Sequence, residues 1–173
     1  MSGPEAGADA GTGPADPLAR LAELGLELPP VAAPVAAYVP AVRSGALVFT
    51  SGQLPFVDGA LPATGPVSAE SADGTVSLER AAELAARCAL NGLAAVHALV
   101  GLPTGLRIVK VTGFVASAPG FGGQPKVVDG ASRLLGDVFG TDGRHARSAV
   151  GVAELPLGSP VEVELIVELP AGH

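Results

Sequence analysis

Hydrophobic and polar residues recur along the chain with two periods, which separate predicted helices from predicted strands. From residue 78 to about residue 100, apolar residues are spaced three or four positions apart, as in an amphipathic helix. These are Leu78, Ala81, Leu84, Cys88, Ala95 and Leu99. Ser77 precedes this predicted helix, and Gly101 and Pro103 end it.

A second helix is predicted to begin near Pro125, since proline suits the first turn of a helix, and to end at Gly140. Its apolar stripe is Val128, Ala131, Leu135 and Val138. A shorter helical stretch opens at Asp16 and Pro17 and ends at Gly25 and the Pro29-Pro30 pair.

Runs of apolar and β-branched residues predict five strands, over residues 36–42, 46–53, 107–117, 146–155 and 160–169. The segment Arg43-Ser44-Gly45 joins the first two, and Pro156-Leu157-Gly158-Ser159 joins the last two. Both connections have the length of a hairpin turn, so each pair is predicted to be a hairpin. Residues 54–76, rich in Pro, Gly, Ser and Asp, are predicted to form a long surface loop.

The predicted order β-β-α-β-α-β-β indicates an α+β domain with one sheet and both main helices on one of its faces. Residues 1–16, acidic and rich in Gly, Pro and Ala, are expected to be a flexible tail, followed by a single domain over 17–173. Apolar residues on both sides of the last two strands predict that other subunits cover the open face.

Composition excludes several classes of function. The 173 residues carry a net charge of −7 and only two lysines, Lys110 and Lys126, which disfavours nucleic-acid binding. The single cysteine, Cys88, excludes an intrachain disulfide and a Cys-rich zinc site, and we expect it to be inert core. The N-terminus lacks signal-peptide features and charged or polar residues interrupt the apolar stretch 81–102, so we expect a soluble cytoplasmic protein with no membrane partner.

The three histidines, His97, His145 and His173, do not have the spacing of metal ligands, so no metal site is predicted. Arg147 is the most informative polar residue, because it opens a strand of small and apolar residues. Its guanidinium can extend to solvent, pair with a carboxylate of the protein, or hold a substrate carboxylate through two hydrogen bonds. Ala149 and Gly151 share its face of the strand and would leave room for a small molecule.

Several short motifs together resemble the RidA/YjgF family, whose members are also labelled L-PSP endoribonucleases. The resemblance covers about residues 31–169, and two longer segments (QPKVVDGASRLLGDVFG and HARSAVGVAELPLGSPVEVE) are similar to a longer bacterial subgroup. The motifs are Tyr38, Thr50-Ser51-Gly52-Gln53, Val109-Lys110-Val111-Thr112 with Phe114-Val115, Ala146-Arg147-Ser148, Leu155-Pro156 and Val161-Glu162-Val163-Glu164.

This resemblance implies a chorismate-mutase-like α+β fold with one mixed sheet and a homotrimer with sites between subunits. It also implies hydrolysis of 2-imino or enamine acids to 2-keto acids and ammonia without a cofactor. In the family pattern, Arg147 binds the substrate carboxylate and Glu162 orients water. The pocket tyrosine falls on Tyr38, and the segment that contacts substrate through its backbone falls on Ser51 and Gly52.

The chain departs from the family pattern at two positions. A cysteine two residues after the arginine is replaced by Ala149, and a helix asparagine is replaced by Asp129, which could repel a substrate carboxylate or offer an extra base. With Ser148, these two residues complete the predicted substrate-binding set.

The predicted hairpin near residue 158 would separate Arg147 from Glu162 by on the order of 20 Å along the strands. We therefore predict that each site takes Arg147 from one subunit and Glu162 from its neighbour.

Less specific interpretations stay open for these residues and for the function. Glu162 and Glu164 alternate with valines as on any solvated strand face. A half-buried strand aromatic with its hydroxyl at the surface is the usual interpretation of a lone tyrosine such as Tyr38. The alternatives to a deaminase are a non-catalytic trimer that binds small carboxylates, RNA cleavage, which the net charge disfavours, and a chorismate-mutase-like rearrangement, for which fold alone is no evidence.

Overall fold

The computed structural model describes residues 16–31, 37–70 and 72–173. The predicted tail lies outside the described residues except for residue 16. These residues contain three α-helices, α1 (Pro17–Glu23), α2 (Leu78–Val100) and α3 (Gln124–Phe139). The strands are β1 (Ala41–Ser44), β2 (Leu47–Thr50), β3 (Val67–Ser68), β4 (Val76–Ser77), β5 (Arg107–Ala116), β6 (Ala146–Val152) and β7 (Val161–Glu168).

Five of the strands form one mixed sheet in the order β1-β2-β7-β5-β6. All neighbours in it are antiparallel except β5 and β6, which are parallel and are connected through α3. The helices α2 and α3 pack against each other and against one face of this sheet. The predicted α+β class, mixed main sheet and placement of the two main helices are thereby confirmed, whereas the prediction of a single sheet is wrong because β3 and β4 form a second, two-stranded sheet.

Strand β7 shows why the helices cover only one face. Its residues alternate between fully buried and partly exposed, with Val161, Val163, Leu165 and Val167 buried and the glutamates on the other side. The period of two places all four apolar side chains against α2. Helix α2 is long and apolar enough to cross a membrane by length and composition, but more than half of its most apolar segment is buried inside this domain, as in the core helix of a soluble protein.

The boundaries of the helices and of the three longer strands match their predictions closely. Ser77 caps α2, its side chain accepting a hydrogen bond of 3.2 Å from the Arg80 backbone N–H, and Gly101 ends the helix at a φ of 80°. The predicted apolar stripe of α3 is buried. Cys88 is fully buried in the core, as expected.

The hairpin predicted between the last two strands is wrong. Strand β5 lies between β6 and β7, pairing parallel with β6 and antiparallel with β7. Residues Pro156–Gly158 form a short 3₁₀ turn in a connection that crosses the end of β5. A crossover through α3 brings β6 parallel to β5, because two parallel strands need such a long connection, and β6 is thus left at the sheet edge.

The N-terminal hairpin is shorter than predicted. Strand β1 begins at Ala41, after Pro40, so Tyr38 precedes the strand; residue 36 lies outside the described residues. Strand β2 ends at Thr50, although Gln53 still pairs with Val163 as an isolated bridge.

The segment predicted as a surface loop, residues 54–76, also differs from expectation. It contributes the short parallel strands β3 and β4 and buries Val67 and Val76 in the core. Two isolated valines gave no period from which these strands could have been predicted.

Helices α2 and α3 approach closely at Gly130, where an added methyl group would overlap the carbonyl oxygen of Ala82. On the same helix, Gly136 has no neighbouring atom within 4 Å of the corresponding position. A substitution at Gly130 therefore tests the close contact between the helices, and the same substitution at Gly136 tests only the helix propensity of glycine.

We expect Gly136→Ala to raise the free energy of unfolding by about 0.5–1 kcal/mol, because alanine is the better helix former. Gly130→Ala gains the same propensity but forces the helices apart, and should lower the free energy of unfolding by about 1–3 kcal/mol. Urea denaturation followed by circular dichroism measures both. Equal stabilisation by the two substitutions would contradict the close helix contact.

Candidate functional site

Arg147 lies on β6 opposite Val111 of β5, and its side chain extends over the face of the sheet that the helices cover. Its Nη1 donates hydrogen bonds to Oδ1 of Asp129 at 2.7 Å and to Oγ of Ser132 at 3.1 Å, both on α3. The Arg147 side chain is 26% exposed and that of Asp129 is 39% exposed. Among the interpretations left open by the sequence, the structure shows pairing with a carboxylate of the protein.

A relay of hydrogen bonds continues from Arg147 to His145. Nδ1 of His145 lies 2.6 Å from the carbonyl oxygen of Gly143, which can only accept, so this nitrogen carries a proton. In the neutral ring, Nε2 then accepts the hydroxyl proton of Ser132 across 2.9 Å. Ser132 and His145 thus help to fix the guanidinium, a role that the search for metal-ligand spacing missed.

The signals that could have revealed this relay are local. Ser132 lies three residues after Asp129 on a helix, and His145 lies two residues before Arg147. The first separation places two side chains on one side of a helix, and the second places two side chains on one side of an extended chain, since His145 directly precedes β6.

The remaining residues of β6 divide between the two faces of the sheet. Ala149 shares the face of Arg147 and packs against the core, whereas Ser148 faces the opposite way and its hydroxyl accepts a hydrogen bond of 2.8 Å from Nζ of Lys110. Next to Gly151, the space predicted for a small molecule is occupied, since an added Cβ would lie 2.8 Å from the Gln124 amide nitrogen. Only the backbone of Ser148 can therefore accompany Arg147 in one site.

A second group of predicted residues lies around Glu162, on the open face of the sheet. Its other members are Gly52, Ser51 and Tyr38. Glu162 lies on β7 opposite Phe114, and its carboxylate rests so close to Gly52 that any side chain there would overlap it. The Ser51 hydroxyl donates to the carbonyl oxygen of Val39 at 2.6 Å, which holds the chain next to Tyr38. The Tyr38 side chain is 53% exposed, so it is available to cover a ligand.

The electrostatics around Glu162 favour its protonated form. Burial raises the pKa of the Glu162 carboxyl above its ordinary value, and the charge of Glu164 on the same face raises that pKa further. A carboxylate with a raised pKa is a stronger base for removing a proton from water near neutral pH. By contrast, burial raises the pKa of the Cys88 thiol, aided by the charge of Glu162, so this thiol is unreactive.

Arg147 and Glu162 of one chain do not meet in one pocket. In the register of β5 they lie opposite Val111 and Phe114, three residues apart, with two strand spacings between β6 and β7. Their Cα atoms are thus separated by about 14 Å, and their side chains leave opposite faces of the sheet. The hairpin from which their separation was predicted does not exist. Arg147 and Glu162 of one chain are nevertheless too far apart to contact one small ligand.

Two other features complete the description of possible binding sites. A cleft of about 440 Å³ is lined by residues such as Pro30, Gln53, Phe56 and Arg87, and contains none of the predicted site residues. Within residues 16–31, 37–70 and 72–173, no three His, Cys, Asp or Glu side chains are grouped so that they could hold a metal ion.

Comparisons with known proteins agree with this fold. A family profile described as "YjgF/chorismate_mutase-like, putative endoribonuclease" matches residues 18–169. The chain is 46% identical over 153 residues to Protein TCP17 of Trypanosoma cruzi, covering 87% of this chain and 92% of that protein.

Two solved structures extend the comparison. A protein of unknown function from Agrobacterium tumefaciens is 43% identical with a TM-score of 0.78, covering 89% of this chain and 92% of the other. E. coli TdcF with bound serine is 26% identical with a TM-score of 0.57, covering 83% and 93% of the two chains.

The raised pKa of Glu162 predicts how stability depends on pH. The native state binds this proton more tightly than the unfolded chain, so stability falls as pH rises through the native pKa. We expect Glu162→Gln to unfold at a higher temperature than the wild type at pH 7. The difference should vanish below about pH 4, where the carboxyl is protonated in both states.

Thermal unfolding followed by circular dichroism from about pH 3 to about pH 8 measures this difference. The exposed Glu154 provides the matched control, because Glu154→Gln should leave the wild-type pH profile unchanged. A constant difference between Glu162→Gln and wild type at every pH would contradict the prediction.

Proposed function

Because the chain belongs to the YjgF/chorismate-mutase-like family, we propose that it hydrolyses reactive 2-imino and enamine acids to 2-keto acids and ammonia. The observation that carries this proposal is the presence of two side chains of complementary chemistry, Arg147 and Glu162. Each is a half-buried functional group at the surface of the sheet, one suited to bind a carboxylate and the other to accept a proton.

Arg147 would bind the substrate carboxylate. Within the part of the chain that the structure describes, its Nη2 and Nε have no hydrogen-bond partner, because Asp129 and Ser132 both bond to Nη1. Nη2 and Nε form one edge of the planar guanidinium and can donate two parallel hydrogen bonds to a carboxylate. Holding the substrate at this edge would fix the position of its imine carbon.

Glu162 would activate the attacking water. It accepts a proton as the water oxygen bonds to the imine carbon, and returns that proton to the nitrogen of the tetrahedral intermediate. As the C–N bond breaks, Glu162 removes the remaining hydroxyl proton to form the keto carbonyl and passes it to the departing ammonia, which leaves as ammonium. Overall, an iminium acid and one water give a 2-keto acid and one ammonium ion, so the reaction needs neither an oxidant nor a cofactor. The raised pKa of Glu162 suits both halves of this exchange.

The sites would lie between subunits of a homotrimer. The open face of the sheet carries Val42, Phe49, Phe114, Val150 and Ile166, and the Val42 and Val150 side chains are exposed in the isolated chain. Copies of the same chain packed on this face would bury them. A neighbour's β6 edge could then bring its Arg147 to the Glu162 group of the first chain.

A structural neighbour supports the ligand class. The E. coli TdcF structure contains serine, a small amino acid with a carboxylate beside a nitrogen. The 2-imino acids that we propose as substrates have the same carboxylate and an adjacent nitrogen.

One observation favours a second candidate function, a non-catalytic trimer that binds small carboxylates. Asp129 already accepts a hydrogen bond from Nη1 of Arg147. Its negative charge would make this guanidinium bind a substrate carboxylate more weakly than a guanidinium without such a partner. RNA cleavage, the activity in the family description, is less compatible with the chain. Its net charge is −7, and one of its two lysines, Lys110, is hydrogen-bonded to Ser148.

We expect the wild-type protein to suppress semicarbazide trapping of 2-imino acids that an amino-acid oxidase produces in situ. Arg147→Ala should lower kcat/KM by about 100-fold or more through loss of substrate positioning. Glu162→Gln should lower kcat by about 100-fold or more through loss of the base. The exposed residues Arg144 and Glu154 supply matched controls, Arg144→Ala and Glu154→Gln.

Suppression of trapping by wild type and both controls, but by neither site variant, would establish the deaminase. Binding of a 2-keto acid that depends on Arg147, without suppression of trapping by the wild type, would instead establish the non-catalytic binder.

A mixing experiment tests whether the sites are shared. Arg147→Ala and Glu162→Gln chains are unfolded together in equal amounts and refolded. If each site takes the arginine from one chain and the glutamate from its neighbour, about a quarter of the sites receive both intact residues, and about a quarter of wild-type activity should return. No recovery in refolded mixtures, while refolded wild type regains full activity, would contradict shared sites.

A further inference from the structure

We propose that Asp129 is a specificity-determining residue, which makes the Arg147 site favour ligands with a protonated nitrogen beside their carboxylate over 2-keto acids of the same size. This inference rests on the proposed role of Arg147 in binding substrate. It goes beyond that role because it assigns the ligand's charge pattern to a second residue.

The first step of the argument is the charge balance at the site. Oδ1 of Asp129 lies 2.7 Å from Nη1 of Arg147, and both side chains are only partly exposed. The pair is therefore nearly neutral as a unit. A ligand that brings only a carboxylate gains less from this pair than from an unpaired guanidinium, since the negative charge of Asp129 opposes it.

The second step concerns the geometry that Asp129 leaves open. With Nη1 occupied by Asp129 and Ser132, a ligand carboxylate is directed to the edge formed by Nη2 and Nε. That edge points away from Nη1, so a ligand carboxylate bound there lies across the guanidinium from the Asp129 carboxylate. Asp129 therefore acts on the ligand through its charge and not through a hydrogen bond, since it attracts a positive nitrogen on the neighbouring ligand carbon and repels further negative charge.

The third step is the other charges near Asp129. Lys126 and Arg133 lie one turn before and after it on α3, but both are exposed, and no ion pair joins either of them to Asp129 in the described structure. Ser132 contributes a neutral hydroxyl, and this hydroxyl is in turn hydrogen-bonded to His145. Asp129 thus supplies the negative charge closest to the guanidinium.

This arrangement has a consequence along the proposed reaction. The substrate iminium carries its positive nitrogen next to the carboxylate, whereas the 2-keto acid product has a neutral oxygen in its place. Asp129 attracts the first and opposes binding of the second. The same residue would therefore favour entry of substrate and release of product.

The test compares two stable ligands with the same carbon chain, L-2-aminobutanoate and 2-oxobutanoate. Their dissociation constants are measured by isothermal titration calorimetry for wild type, Asp129→Asn and Asp137→Asn. Asp137 is an exposed acid two turns further along α3 and serves as the matched control. Asp129→Ser provides a second variant if the asparagine variant fails to fold.

We expect removal of the Asp129 charge to lower the preference for the amino acid over the keto acid by about three- to tenfold, mainly because 2-oxobutanoate binds more tightly. Asp137→Asn should leave the preference unchanged. An unaltered preference in the Asp129 variants, an equal change in the Asp137 variant, or no binding of either ligand would overturn the proposal.

The binding measurement is independent of turnover, so the two proposals can fail separately. If the preference shifts as expected while imines are not hydrolysed, the deaminase proposal fails and the specificity role stands. If imines are hydrolysed and the preference does not shift, only the specificity role fails.

Discussion

The position of β5 between β6 and β7 is the constraint on which the rest of the structure depends. It has a parallel neighbour on one side and an antiparallel neighbour on the other, so its register sets the height of every functional residue in the sheet. Val111 fixes the level of Arg147 and Phe114 fixes that of Glu162. The period of two along each strand then assigns the arginine to the helix side and the glutamate to the open side.

The two faces give these residues different environments. Arg147 meets polar side chains of α3, which neutralise and orient it. Glu162 lies close to Gly52 on the open face, where burial, followed by the charge of Glu164, raises the pKa of its carboxyl. The arginine and the glutamate are therefore about 14 Å apart on opposite faces of one chain, so under the proposed function a ligand that needs both would lie between two copies of the chain.

Much of the fold was predictable because its longest elements carry strong periodic patterns. The apolar stripe from Leu78 onwards and the signals at Ser77 and Gly101 located α2 to the residue. Strand order was not predictable from such patterns, since β6 and β7 are neighbours in sequence and both are rich in valine. Strands β6 and β7 pair with opposite sides of β5 because of the path that the chain takes through α3. That path depends on contacts between residues far apart in sequence, which local patterns do not reveal.

The candidate site was predictable to a similar extent. Family motifs identified Arg147 and Glu162, and Asp129 was recognised as a departure. The contact between Asp129 and Arg147 joins residues 18 positions apart on different elements, and nothing in local spacing indicates it. The same holds for Ser132 and His145, whose hydrogen bonds to the Arg147 group form only when α3 lies beside β6.

Gly52 has a consequence for how changes at this site accumulate. Because the Glu162 carboxylate fills the volume that a side chain at position 52 would need, the absence of a side chain there is as much part of the site as the carboxylate itself. A larger residue can replace Gly52 only after a smaller residue has replaced Glu162. The two substitutions therefore have to occur in that order. In a chain of this fold with a larger residue at position 52, an acid at position 162 would have to place its carboxylate elsewhere.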